Sequence, residues 1–169
     1  MNGYTDDQIG VSSSGVRYVI LDSGSMELID ESDFVDFDYI GITLGDTIFD
    51  TSIEAVVDSL NEYYESNPEV NNPYIIEEDT VVLNRDSDQF ISFSITYSAS
   101  GWSIDEVLPN VIPGFREGAA ASFRHISEDG SALIVIPSGL AYGSQGFGVF
   151  IDPNTPIVFE LRPFKVVKQ

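Results

Sequence analysis

Apolar and polar positions alternate along much of the chain; elsewhere the apolar ones recur every three or four residues. "VRYVIL" puts Val16, Tyr18 and Ile20 on one face and Arg17, Val19 and Leu21 on the other, the period of a strand. "FVDFDYIG" repeats the pattern, with Val35, Phe37 and Tyr39 on one face and Asp36 and Asp38 on the solvated face. A glycine turn, "TLGDT", leads to "IFD", where extended structure resumes. The period then changes. Thr51 to Glu54 reads T-x-x-E, the pattern of a capping box, and Ile53, Val56, Val57, Leu60 and Tyr64 follow at helical spacing until "SNP" ends the helix near Asn67. A proline- and asparagine-rich loop, "NPEVNNPYIIEEDT", comes next. "TVVLN" and "QFISFSITYS" read as two further strands joined by "RDSD". After "GWSIDEVLPN", "VIPGFREGAAASF" places Ile112, Phe115, Ala119 and Phe123 on one helical face. "SEDG" turns the chain into the strand "SALIVIP". "PIVFELRPF" closes it, with Ile157, Phe159 and Leu161 opposite Val158, Glu160 and Arg162. Antiparallel strands with one short central helix and one extra helix make an α+β layout.

Composition narrows the class. The 169 residues suit one domain, and a hydrophobic share of 43% is enough for a core. A formal net charge of −21 argues against nucleic acid, whose phosphates need a cationic face, and against electrostatic docking on anionic lipid. It reads as a solvated, aggregation-resistant surface whose self-repulsion salt would screen. With no cysteine, disulfides, thiolate metal sites and cysteine nucleophiles are excluded. No apolar run reaches the ~18 residues of a membrane span. The opening "MNGYTDDQIG" is polar and lacks a signal-peptide pattern. Residues 1–15 read as a flexible lead-in to a domain at 16–169. Such a lead-in suits an exported protein, periplasmic or lipid-anchored with its leader removed; a cytoplasmic start is the alternative.

The usual catalytic constellations are missing. His125 is the single histidine, at a helix end, where it reads as an exposed residue or a partner of the helix dipole. The serines lack a G-x-S-x-G frame, and the glycines from Gly143 to Gly148 are followed by no G-K-[ST]. They open no helix after a first strand, as a dinucleotide site requires, and the acids form no calcium loop. The remaining signal is a series of aromatic and aliphatic residues at strand ends: Tyr39, Phe49, Val111, Ile112, Tyr142 and Phe159. Tyr142 is conspicuous, a large ring in "IPSGLAYGSQGFG", a loop otherwise rich in glycine and serine.

Taken in order, these segments resemble the FKBP-type peptidyl-prolyl cis-trans isomerases. "FVDFDYIG" is similar to the family strand that ends in tyrosine, a variable residue and glycine. "GDTIFDTS" is similar to D-G-x-x-F-D-S-S, with Asp46 where the family's glycine usually sits. "VIPGFREG" is similar to V-I-x-G-W-x-E-G. "IPSGLAYGSQGFG" and "IDPNTPIVFEL" resemble the I-P-x-x-L-A-Y-G loop and the closing I-P-P-N-x-x-L-V-F strand. The resemblance covers residues 16–50 and 111–165.

It implies a curved antiparallel sheet wrapped on a short helix, with a cleft between them. The implied catalytic positions are Tyr39, Phe49, Asp50, Ile112, Tyr142 and Phe159; the implied substrate contacts are Val111, Phe115, Ile151, Trp102 and Phe147. Phe115 stands where the family usually has a tryptophan floor, and Ile151–Asp152–Pro153 replaces I-P-P. Between Asp50 and Val111 the chain is roughly forty residues longer than the family's short link. An insertion at about 53–100 accounts for this, and the wall ring of the pocket is either Trp102 or Phe93. The resemblance implies an isomerase that needs no cofactor and no metal. Its partners would be proline-containing peptides and unfolded proteins, with macrolides such as tacrolimus and rapamycin as pocket ligands, and it would act as a monomer. The alternative is a non-catalytic binding module of the same fold that uses the insertion.

Overall fold

The computed structural model describes residues 5, 8–76, 79–80, 90, 92–97 and 111–169. Among these residues seven strands form one antiparallel sheet: β1 (Gly10–Val11), β2 (Arg17–Asp22), β3 (Phe34–Thr43), β4 (Ile48–Thr51), β7 (Phe93–Thr96), β8 (Ser131–Ile136) and β9 (Ile157–Val167). Their order is β1-β2-β8-β9-β3-β4, and β7 also pairs with β3. A separate two-stranded ladder joins β5 (Ile75–Ile76) to β6 (Asp79–Thr80). Among the described residues the two α-helices are α1 (Glu54–Ser66) and α2 (Pro113–Phe123).

The alternation read from the sequence sets the faces. Val35 and Phe37 of β3, and Ile157, Phe159 and Leu161 of β9, are buried with Ile134 and Ile136 of β8. α2 packs on this face against β8 and β2. Its first residue is Pro113, whose missing N–H is one the first turn leaves unpaired anyway. Small residues bring it close. A Cβ on Gly118 would lie 2.8 Å from Ile134 Cδ1, and one on Gly114 would lie 2.2 Å from Ile136 Cγ2. Phe123 closes the helix edge-on to Phe37 at 4.9 Å. The Tyr97 hydroxyl donates to the Ala120 carbonyl at 2.9 Å, which ties the end of β7 to α2.

On the other face, Asp36 and Asp38 are half-buried rather than fully solvated. Asp36 pairs with Lys165 at 3.2 Å and accepts from the Ser94 hydroxyl at 2.6 Å. Asp38 accepts from the Ser52 and Ser92 hydroxyls at 2.8 and 2.6 Å. The C-terminal Lys168 ammonium donates to Asp33, which is 2% exposed, at 2.9 Å.

Two readings of the sequence change here. Part of the expected flexible lead-in belongs to the sheet, because Gly10–Val11 pair with Tyr18 and Arg17. The Glu117 carboxylate accepts from the Ser14 N–H at 3.1 Å and from the Ser13 and Ser14 hydroxyls, which fastens the turn that follows β1 to α2. The capping box is not formed. α1 begins at Glu54 with Ile53 as its N-cap and no side-chain cap bond. Thr51, fully buried at the end of β4, instead donates its hydroxyl to the Tyr39 carbonyl at 2.9 Å and accepts from the Ile53 N–H at 3.1 Å. Of "TVVLN", only Thr80 is described, paired in β6, and the "RDSD" turn lies outside the described residues. No helix among the described residues is long and apolar enough to cross a membrane, and no described group of His, Cys, Asp and Glu is arranged to hold a metal ion.

Candidate functional site

The candidate cleft begins at the joint of β3 and β4. Their register runs from Gly41 opposite Asp50 to Ile42 opposite Ile48, so Phe49 is an extra residue in a bulge. A bulge breaks strict alternation. That lets Phe49 join the Phe159 cluster while its neighbour Asp50 reaches Tyr39. The Tyr39 hydroxyl donates to Asp50 Oδ2 at 3.3 Å. Gly41 makes the room: a Cβ there would lie 2.8 Å from both Phe159 Cε1 and Phe49 Cζ.

The floor is aromatic. Phe115, on the first turn of α2, is 3% exposed and meets Phe159 edge-on at 4.7 Å. Tyr39 meets Phe115 at 5.8 Å and Phe159 at 5.9 Å, and Phe49 meets Phe159 at 5.5 Å. Such T-shaped contacts bring the positive edge of one ring to the negative face of another. Phe93 of β7 packs on the same group, 5.3 Å from Phe115 and 5.4 Å from Tyr39, and stacks on Phe37 at 5.2 Å. Of the two rings weighed for the pocket wall, Phe93 therefore stands against the floor, while Trp102 lies outside the described residues.

The loop after β8 supplies the other side. A 3₁₀ turn at Ser138–Leu140 leads to Ala141 and Tyr142. The Gly143 N–H donates to the Ser138 carbonyl and the Asn154 N–H to the Gly143 carbonyl, each at 2.8 Å. Phe147 and Ile151 exchange two backbone bonds, at 2.8 and 3.2 Å, across a small hairpin. Gly146 is required there: it holds φ +67°, and a Cβ would lie 2.2 Å from the Ile151 carbonyl oxygen. Tyr142 stacks on Phe147 at 4.6 Å, and Phe147 itself is 58% exposed. Burial, and then the nearby charge of Asp50, hold the Tyr142 hydroxyl above its ordinary pKa. It is therefore a protonated donor at neutral pH. Ile151 is buried, and Val111 and Ile112 are half-buried against the same core.

The structure thus places Tyr39, Phe49, Asp50, Phe115 and Phe159 in one contact group. Val111, Ile112, Tyr142 and Ile151 pack on the same core, and Phe147 sits at the rim through Tyr142. The sequence pattern did not mark Gly41 as the spacer between two rings, although its place two residues after Tyr39 was the available signal.

No family model matches the chain. Over 160 residues, 95% of its length, it is 26% identical to the Neisseria meningitidis serogroup B protein named "Probable FKBP-type peptidyl-prolyl cis-trans isomerase FkpA". Over 56 residues, 33% of its length, it is 38% identical to an FK506-binding protein of N. meningitidis serogroup A. The chain spans 41% and 48% of the length of these two relatives. Among solved structures, FkpA from Escherichia coli superposes with a TM-score of 0.50 at 24% identity, covering 96% of this chain and 53% of that one. AtFKBP13 superposes with a TM-score of 0.52 at 16% identity, covering 94% and 98%.

The fold is FKBP-like, and the chain is similar in sequence to FKBP-type proteins.

Two departures from the FKBP motifs have a structural account. Asp46, at the usual glycine position, holds φ +61° in the left-handed region, which aspartate tolerates better than most residues. Phe115 fills the place of the FKBP tryptophan, with four described aromatic partners, Phe37, Tyr39, Phe93 and Phe159, gathered around it.

Proposed function

We propose that this FKBP-type cleft accelerates cis–trans rotation about X–Pro bonds in peptides and unfolded proteins, without covalent chemistry. The observation that carries the reading is the ring group of Tyr39, Phe49, Phe115 and Phe159, closed by the Tyr39–Asp50 bond and faced by Tyr142. Rotation of the amide crosses a barrier of about 18–20 kcal/mol because it breaks resonance. The planar amide is the more polar, charge-separated form. An apolar cleft therefore disfavours the ground state relative to the twisted one, and no acid, base or nucleophile is needed.

In this reading the proline ring rests on Phe159, Phe49 and the Phe115 floor, with Phe93, Val111 and Ile151 as surrounding wall. The Tyr142 hydroxyl and the Ile112 N–H orient substrate carbonyls, and Asp50 fixes Tyr39. Phe147, largely exposed, offers a ring to the residue before proline. The FKBP-like unit is taken to occupy 16–169 with its insertion at about 53–100. Tacrolimus tests the assignment. It should bind and should compete with an X–Pro peptide, and Phe115→Trp should strengthen binding. A folded protein that catalyses isomerisation but is indifferent to tacrolimus at millimolar concentration would remove this cleft as the site.

A further inference from the structure

Val57 and Tyr74 are 5% and 3% exposed and form a small core apart from the main one. Ile48, Leu60, Tyr64 and Phe150 pack against it. Tyr74 meets Tyr64 at 6.0 Å on one side and Phe150 at 5.5 Å on the other. Phe150 also packs against the main core. Its chain position is telling: it directly precedes Ile151, which exchanges backbone bonds with Phe147. Ile48 directly precedes Phe49 on the opposite wall. The small core therefore touches both sides of the cleft, β4 through Ile48 and the closing loop through Phe150. Within that loop three positions, Gly143, Gly146 and Gly148, have no side chain to pack and hold φ of +57°, +67° and +56°, so its shape depends on the contacts of the few side chains it does carry.

We propose that the layer formed by α1 and Tyr74 is a buttress that holds the closing loop in its cleft-forming shape, with Tyr74 and Phe150 as positioning residues for the site. Its kinetic consequence rests on the isomerase reading; its structural consequence does not. The insertion then serves the reaction on short peptides as well as on proteins, because it acts through the loop rather than by touching substrate.

The test compares the parent with Tyr74→Ala and Tyr74→Phe, using amide hydrogen exchange and tetrapeptide kinetics. In Tyr74→Ala, exchange at the Phe147 and Ile151 amides should quicken about tenfold as the loop opens locally. KM should rise about threefold with kcat near the parental value. Tyr74→Phe keeps the ring contact and should restore both. If Tyr74→Ala does not fold, Phe150→Leu replaces it with the same readouts. Parental exchange at both amides in a folded variant overturns the proposal, and so does faster exchange with unchanged KM. Faster exchange where the parent itself shows no isomerase activity removes the isomerase reading and leaves the buttress standing.

Discussion

Asp50 accepts from Tyr39 and lies close enough to Tyr142 to raise its pKa, so it links two sides of the candidate cleft. Asp50→Leu should leave the protein folded and weaken tacrolimus binding about tenfold or more, the loss of a part-buried hydrogen bond of ~1–3 kcal/mol. Isothermal titration checks it. Because the Tyr142 pKa is raised, its hydroxyl stays a donor well into alkaline solution. The isomerisation rate should therefore be flat from about pH 6 to about pH 9, against an ordinary phenol pKa near 10. Gly41→Ala sets a methyl against Phe49 and Phe159 and should lower kcat/KM by more than it lowers stability. Much of the aromatic group of the candidate site was legible at this scale. Tyr39, Phe49, Asp50, Phe115, Tyr142 and Phe159 lie in short motifs whose spacing survives. Phe93 was harder, because the long segment between Asp50 and Val111 hides which aromatic returns to the floor.

Strands and helices follow from period, so β2, β3, β8, β9 and both helices could be read from alternation and helical spacing. What failed was context between elements. T-x-x-E predicts a cap only if its threonine is free, and Thr51 is held by β4 and the Tyr39 carbonyl. The two accounts of Thr51 differ in a urea titration. Thr51→Ala should cost ~1–3 kcal/mol, since it removes a fully buried hydroxyl that bridges the Tyr39 carbonyl and the Ile53 N–H, although the carbonyl keeps its bond from the Ser52 N–H. Glu54→Ala should stay within about 0.5 kcal/mol, as surface substitutions do. A capping box would make both changes costly. β1 was missed for a related reason: two residues are too few to show a period, and their place depends on the partner strand β2 and on Glu117.

For the whole molecule, acid should act in two stages. Partial loss of surrounding water, and then the charge of Arg124, lower the pKa of His125, an exposed ring that stacks on Tyr18 at 5.8 Å, so its share of the stability is small. A base with a depressed folded pKa favours folding above its unfolded pKa of about 6.5, and that contribution is lost as pH falls below it. For Asp33, burial alone would raise the pKa, but the Asp30 N–H, Lys168 and the Gln169 N–H together bring it below the ordinary value. For Glu117, bonds from Ser12 and Ser14 lower it. Both carboxylates stabilise the fold above the usual carboxylate pKa of about 4, and that is lost as pH falls through their folded values. The melting temperature should thus decline slightly below about pH 6.5 and again below about pH 4, and His125→Gln should remove only the first decline. With a net charge of −21, added salt should raise the melting temperature near neutral pH by screening self-repulsion. The most direct test of the cleft as a proline isomerase is catalysed cis–trans exchange of an X–Pro tetrapeptide, followed by exchange NMR with circular dichroism as the folding control. The folded parent should accelerate exchange, and a folded Phe159→Ala should lose tenfold or more, about 1.4 kcal/mol of barrier lowering. No acceleration above buffer by the folded parent, at high concentration, would contradict the assignment.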